Sequence, residues 1–124
     1  MSDIYIVYCD GNGYGDVAVR LQYAEKIKDF VSRSEAQSHN QAEAYAILYA
    51  LGKLPSGSIA EIRSDSQLII YGLTGKYDIT NVPLKEIITK IHDEIRKRNI
   101  NVQFRWIPGD ENPADAIIRT KRGN

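Results

Sequence analysis

The stretch Asn40-Gln-Ala-Glu-Ala-Tyr-Ala-Ile-Leu-Tyr-Ala50 constrains this chain more than any other. From Ala42 to Ala50 it reads as a helix that is apolar almost all the way round, and such a helix must be packed into a core. Glu43 breaks the pattern. An ionised carboxylate among these side chains is unfavourable unless something pairs with it, and the nearest Lys or Arg along the helix is Lys53, ten residues on. Two readings stand at this point. Glu43 is a first-turn acid favoured by the helix dipole and half solvated, or it shares a bound cation with carboxylates from elsewhere in the fold.

The rest of the chain supplies the elements around that helix. Ile4-Tyr-Ile-Val-Tyr-Cys9 is apolar on both faces, the pattern of a central strand covered on both sides. The glycines of Asp10-Gly-Asn-Gly-Tyr-Gly15 then permit a tight turn. From Asp16 to Tyr23 the pattern alternates, with Val17, Val19, Leu21 and Tyr23 opposite Asp16, Ala18, Arg20 and Gln22, which predicts a half-exposed antiparallel strand. Lys26 to Arg33 is a third strand, more polar and nearer an edge, and Ser34 to Asn40 is a polar linker capping the Glu43 helix. Gly52 and Pro55 stop that helix. Ile59 to Arg63 is a fourth short strand running into Ser64-Asp-Ser-Gln67, a helix start ahead of Leu68-Ile-Ile-Tyr71. Leu84, Ile87, Ile88, Ile91 and Ile95 carry the clearest helical period in the chain. Asn101 to Ile107 is a fifth strand, with Trp106 on its core face, and a short last helix covers Ala114 to Arg119. The order β-β-β-α-β-α-α-β-α predicts an α/β layer fold with a meander first and crossovers later.

Composition excludes several classes. A chain of 124 residues, 43% hydrophobic and 26% charged, is expected to be one domain over residues 1–124 with a core of its own. No apolar run approaches a membrane span of about 20 residues, and the first residues lack a secretory pattern, so a cytoplasmic, membrane-free monomer is expected. One cysteine, Cys9, excludes an internal disulfide, and with only two scattered His it makes no zinc cluster. The zero net charge leaves a polyanionic partner open, because four acids committed to metal would leave sixteen bases against twelve acids.

Four acids stand out by position. Asp10 and Asp65 end the first and fourth strands, Glu43 lies on the packed helix and Asp115 begins the last one. In open α/β sheets, sites form outside the carboxyl ends of the strands at a topological switch point. The first and fourth strands make such a switch, so Asp10 and Asp65 are expected to be neighbours. Each also has a local reading: Asp10 as an Asp-Gly hairpin residue, Asp65 as a helix N-cap, and Asp115 as the third helical residue after an Asn112 cap and Pro113. None of these explains Glu43.

Asp10-Gly-Asn-Gly, Asn40-Gln-Ala-Glu43-Ala, Ser64-Asp65-Ser-Gln, Trp106-Ile-Pro-Gly and Asn112-Pro-Ala-Asp115 together resemble the signature blocks of type 1 ribonuclease H, in the family's order and across residues 4–119. The segment from Gln67 to Tyr77 resembles the compact, reverse-transcriptase-like branch, which lacks a basic protrusion. The resemblance implies a ribonuclease H-like α/β fold, a five-stranded mixed sheet whose first three strands form an antiparallel meander, with helices on both faces. It implies hydrolysis of the RNA strand of RNA/DNA hybrids, with two Mg²⁺ or Mn²⁺ ions held by Asp10, Glu43, Asp65 and Asp115. Those residue types suit hard divalent ions, which want oxygen ligands.

The resemblance further implies substrate contacts from Asn40 and Gln67 at minor-groove edges and riboses, from the Gly11 backbone and neighbouring Asn12, and from Ser38 at a phosphate of the DNA strand. Contact with 2′-hydroxyls is how such a site separates RNA from DNA. Asn12 departs from the family's usual Ser, Ala or Thr, and the first turn is shorter than usual. Many members carry a mobile histidine in the loop before the last acid, whereas this chain has Gly109-Asp-Glu-Asn112. Asp110 is expected to take that role, with Glu111 and His39 as the other candidates. Two other classes share this fold: a junction-resolvase type of nuclease, against which Asn40 and Gln67 argue, and a non-catalytic nucleic-acid-binding module, against which the four retained acids argue.

Overall fold

A computed structural model describes residues 3–123, with side chains described through residue 120. The domain expected over residues 1–124 thus includes Met1, Ser2 and Asn124, which lie outside the described residues. The described chain runs β1 (Ile4–Gly11), β2 (Asp16–Tyr23), β3 (Lys26–Arg33), α1 (His39–Lys53), β4 (Ile59–Ser64), α2 (Gln67–Leu73), α3 (Val82–Lys97), β5 (Asn101–Trp106) and α4 (Pro113–Gly123), with a single 3-10 turn at Gly109–Glu111. The five strands form one sheet in the order β3-β2-β1-β4-β5. The first three pair antiparallel, and β4 runs parallel to both β1 and β5. The expected mixed sheet, with its first strand central and its third at an edge, is what forms.

Successive residues of β1 point to opposite faces. Val7 and Cys9 are fully buried in the large core with Ile47 and Leu51 of α1, Ile69 and Ile70 of α2, and Ile87 and Ile91 of α3. Tyr8 instead joins a smaller cluster with Ala18 of β2 and Ala114 and Ile118 of α4. Three helices therefore cover one face of the sheet and α4 covers part of the other. The α1 helix is buried along most of its length, as its sequence requires, and Arg98 closes its C-terminal end by donating to the carbonyls of Leu51 and Leu54. In α3 Leu84, Ile87, Ile88 and Ile91 of the predicted stripe are buried, and its last member, Ile95, is partly buried against the same core.

Several boundaries differ from expectation, each for a local reason. Asp10 and Gly11 belong to β1, opposite Ala18 and Val17 in the ladder, so Asp10 is not a hairpin-turn residue. The turn starts at Asn12, whose side-chain oxygen accepts from the backbone N–H groups of Tyr14 and Asp16 and makes a side-chain-built turn. Asp16, expected on a half-exposed face, is 1% exposed and paired with Asn12 and with Arg33 of β3. The cap of α2 is Ser66, whose hydroxyl accepts from the Ile69 N–H, and not Asp65. Asp65 is thereby left between the strand end and the cap. The last helix runs to Gly123 and is not confined to Ala114–Arg119.

Candidate metal centre

The parallel register of β1 and β4 pairs Cys9 with Ser64. The residue after each of these is an acid, Asp10 within β1 and Asp65 just past the end of β4, so the two emerge side by side at the carboxyl end of the sheet. Asp65 is pinned from two directions: the Trp106 indole N–H donates to its carbonyl at 3.1 Å, and the Ser64 hydroxyl accepts from the Ser66 N–H at 3.2 Å. Trp106 thus packs from β5 against the core, as expected, and also holds the strand end.

Glu43 arrives from α1. The Ser38 hydroxyl accepts from the Gln41 N–H and caps this helix, which places Glu43 one turn inside it. The first turns of α1 then press onto the end of β1. A Cβ on Gly11 would lie 2.4 Å from the Ala42 carbonyl carbon, so only glycine permits that approach. The result is three carboxylates from three elements. One oxygen from each of Asp10, Glu43 and Asp65 lies within 4.8 Å of the others.

The α4 helix closes the fourth side. Asn112 is buried, donates from its amide to the Cys9 carbonyl at 2.9 Å and accepts from the Ala114 N–H at 3.1 Å. One side chain therefore caps α4 and ties it to β1. Asp115, third in the helix as expected, lines the same cavity of about 330 Å³ as Asp10, Glu43 and Asp65, and its carboxylate meets Arg119 at 3.2 Å. Gly11, Asn12, Tyr14 and His39 line this cavity too. Asn12 spends its oxygen on the turn and donates to Asp16 at 3.2 Å. Asn40 is exposed in the first turn of α1 and Gln67 is the exposed first residue of α2, both outside the cavity lining. Asp110 and Glu111 are exposed in the 3-10 turn, whose Gly109 lies against the Asp65 carboxylate.

His39 does more than its cap-region position suggested. Helix α1 begins at His39, which makes it an i,i+4 neighbour of Glu43, and its Nε2 lies 3.1 Å from Glu43 Oε2. Tyr14, Arg119 and Asn112 were not singled out as site residues from sequence. The i,i+4 spacing from Asp115 marks Arg119 locally, and Asn112 is marked by its cap position before Pro113, whereas nothing local marks Tyr14.

Crowding is written into the titration of these acids. Burial, and then the charges of Asp65 and Asp115, push the Asp10 carboxyl up to about 7. Burial, and then the charges of Asp10 and Asp65, push Glu43 up to about 10. Asp65 is raised as well, chiefly by burial, with Asn112 opposing. Glu43 Oε1 is buried and meets no hydrogen-bond donor. An oxygen in that position needs either a shared proton or a cation. An all-oxygen donor set of this kind suits Mg²⁺ or Mn²⁺ and not the softer ions that select thiolate or imidazole.

Comparison with known proteins gives a consistent picture. The sequence pattern of the RNase H family matches residues 2–117. A ribonuclease H of Caulobacter sp. (strain K31) is 30% identical over 112 residues, covering 82% of this chain and 72% of the relative. Among solved structures, LC11-RNase H1 in complex with an RNA/DNA hybrid is similar with a TM-score of 0.80 and 27% identity, over 90% of this chain and 91% of that one. The RNase H1 of the halophilic archaeon Halobacterium salinarum shares the fold with a TM-score of 0.80 at 24% identity, over 91% and 92% of the two chains.

Proposed function

Because the chain belongs to the RNase H family, we propose that it is an endoribonuclease that hydrolyses the RNA strand of RNA/DNA hybrids with two divalent ions, Mg²⁺ or Mn²⁺. The observation that carries this reading is the convergence of the Asp10, Glu43 and Asp65 carboxylates, with Glu43 Oε1 buried and lacking a donor. Asp10, Glu43, Asp65 and Asp115 would hold the ions. Divalent ions held there supply an activated water on one side of a phosphodiester and charge stabilisation for the leaving oxygen on the other.

The chain's own residues do the rest. Three elements fix the acids before substrate arrives, so little reorganisation is needed. Asp115, partly exposed and facing Arg119, is the least constrained of the four. Asn40 and Gln67 sit three residues before Glu43 and two after Asp65, exposed at the starts of α1 and α2. Both can reach sugar edges, and contact with 2′-hydroxyls would select the RNA strand. Asp110 in the turn beside Asp65 is the proton carrier of this reading, with Glu111 next to it. The hybrid bound to the 27%-identical relative supports the choice of substrate. The protein acts as one domain and as a monomer, and among the described residues no helix is long and apolar enough to cross a membrane.

The test is cleavage of end-labelled RNA/DNA, RNA/RNA and DNA/DNA duplexes with Mg²⁺ and with EDTA. The reading requires cuts in the RNA strand of the hybrid alone, and only with metal. Equal cutting of DNA/DNA, or cutting in EDTA, would overturn it.

A further inference from the structure

The hairpin tip between β1 and β2 is built more firmly than a connector needs to be. Asn12 Oδ1 accepts from the Tyr14 N–H at 2.9 Å and the Asp16 N–H at 3.0 Å, while Asn12 Nδ2 donates to Asp16 Oδ2 at 3.2 Å. Backbone bonds close the same turn, from Asn12 N to the Asp16 carbonyl and from Gly15 N to the Asn12 carbonyl, each at 3.1 Å. Gly15 sits at φ +90°, a conformation suited to glycine, and its carbonyl accepts from both the N–H and the hydroxyl of Ser34. The tip is thus tied to the far end of β3. This rigid frame carries one large side chain, Tyr14, which is 67% exposed and lines the cavity that holds the acids. Tyr14 contributes little to the core, since neither buried cluster includes it.

We propose that Tyr14 is a substrate-positioning residue whose ring packs against a ribose of the RNA strand beside the phosphate to be cut. The inference rests on the hybrid-cleaving reading above and adds to it the contact that sets which phosphate meets the acids. The chemistry favours that partner. The cavity is lined by acids, and the one Lys or Arg among its lining residues, Arg119, is engaged with Asp115 at 3.2 Å, so uncharged contacts at the rim add attraction for the strand that the acids do not offer. A tyrosine ring offers a flat apolar face to the C–H side of a sugar and a hydroxyl at its wet end. Having the backbone fixed beforehand reduces the ordering loss on binding. Asn12, whose polar groups serve the turn, then acts on substrate through Tyr14.

The experiment uses the full chain with Tyr14→Ala and Tyr14→Phe and an end-labelled RNA/DNA hybrid. Binding is measured in an Asp10→Asn background, and KM, kcat and cut positions with Mg²⁺ in the otherwise unaltered protein. Tyr14→Ala is expected to weaken hybrid binding about five- to tenfold, near the low end of aromatic–nucleotide contacts, to raise KM more than it lowers kcat, and to redistribute the cuts. Tyr14→Phe should keep the parent affinity and cut positions. Both variants should melt within about 2 °C of the parent, as an exposed substitution does. Unchanged affinity and cut positions in Tyr14→Ala, or equal losses in the two variants, would overturn the ring contact. An unaltered protein that cuts no hybrid at all would instead overturn the reading on which the inference rests.

Discussion

Replacing Asp10 by Asn removes a negative charge from a position where folding holds it at a loss. Asp10 is 6% exposed, and burial with the neighbouring Asp65 and Asp115 charges lifts its carboxyl from 3.8 to about 7. The folded state therefore binds more protons than the unfolded chain between about pH 4 and pH 7, and stability falls as pH rises through that window. At 1.36 kcal/mol for each pH unit, the gap is worth about 4 kcal/mol at most. Glu43 competes for the same proton, so the two contributions are not independent, and about 2 kcal/mol is a better figure for Asp10. Unfolding 124 residues carries an entropy of about 0.26 kcal/mol/K, which converts that figure into about 8 °C. Melting curves of the parent and Asp10→Asn in EDTA at pH 4, 6 and 8 are the assay. The variant should melt about 8 °C higher at pH 8, with the difference gone near pH 4, where the parent acid is neutral too. A lower Tm for Asp10→Asn at pH 8, or a difference that does not change with pH, would refute burial and mutual repulsion as the source of the raised carboxyl.

The same crowding predicts that Mg²⁺ or Mn²⁺ binding at pH 7.5 expels about one proton, because Glu43 is held up to about 10 and Asp10 to about 7. Calorimetry in buffers of different ionisation enthalpy reads this directly, and a buffer-independent heat would contradict it. Gly11→Ala should destabilise the fold by roughly 3 kcal/mol or more, since its methyl would lie 2.4 Å from the α1 backbone, and an unchanged urea midpoint would count against that packing. Asp110→Ala or Glu111→Ala should lower kcat by roughly one to two decades with little change in KM. Full activity in both, and in the double variant, would leave His39→Ala, beside Glu43, as the next substitution to assay. Hybrid affinity should fall with salt along a shallow log–log slope on the order of −2 to −4, given zero net charge, and a slope near −8 would reveal an unnoticed basic surface.

The order and type of the elements were legible because long-range burial leaves a local trace: an apolar run for β1, a clean helical stripe for α3, an all-round apolar helix for α1. Asp10 and Asp65 could be foreseen as neighbours from strand ends and topology, and the Cys9–Ser64 register makes them so. What escaped was decided by single side chains acting on the backbone. Asp-Gly has the composition of a hairpin turn, yet Asn12 supplies the turn and leaves Asp10-Gly11 to the ladder. Two serines flank Asp65, and which residue caps α2 depends on one hydroxyl reaching Ile69. The burial of Asp16 depends on Arg33 from another strand, and the reach of His39 depends on α1 starting at that residue. Tyr14 has no periodicity to mark it, because its significance is its position on a rim that three distant segments create.

The central claim is that the three-carboxylate cluster is a divalent-metal site, and anomalous diffraction from crystals soaked in Mn²⁺ tests it most directly. The account predicts a strong peak bounded by oxygens of Asp10, Glu43 and Asp65, at the ligand distance of about 2.1 Å usual for small hard cations, and its loss in Asp10→Asn. No peak among those carboxylates at saturating Mn²⁺, or a peak only elsewhere on the protein, would contradict it.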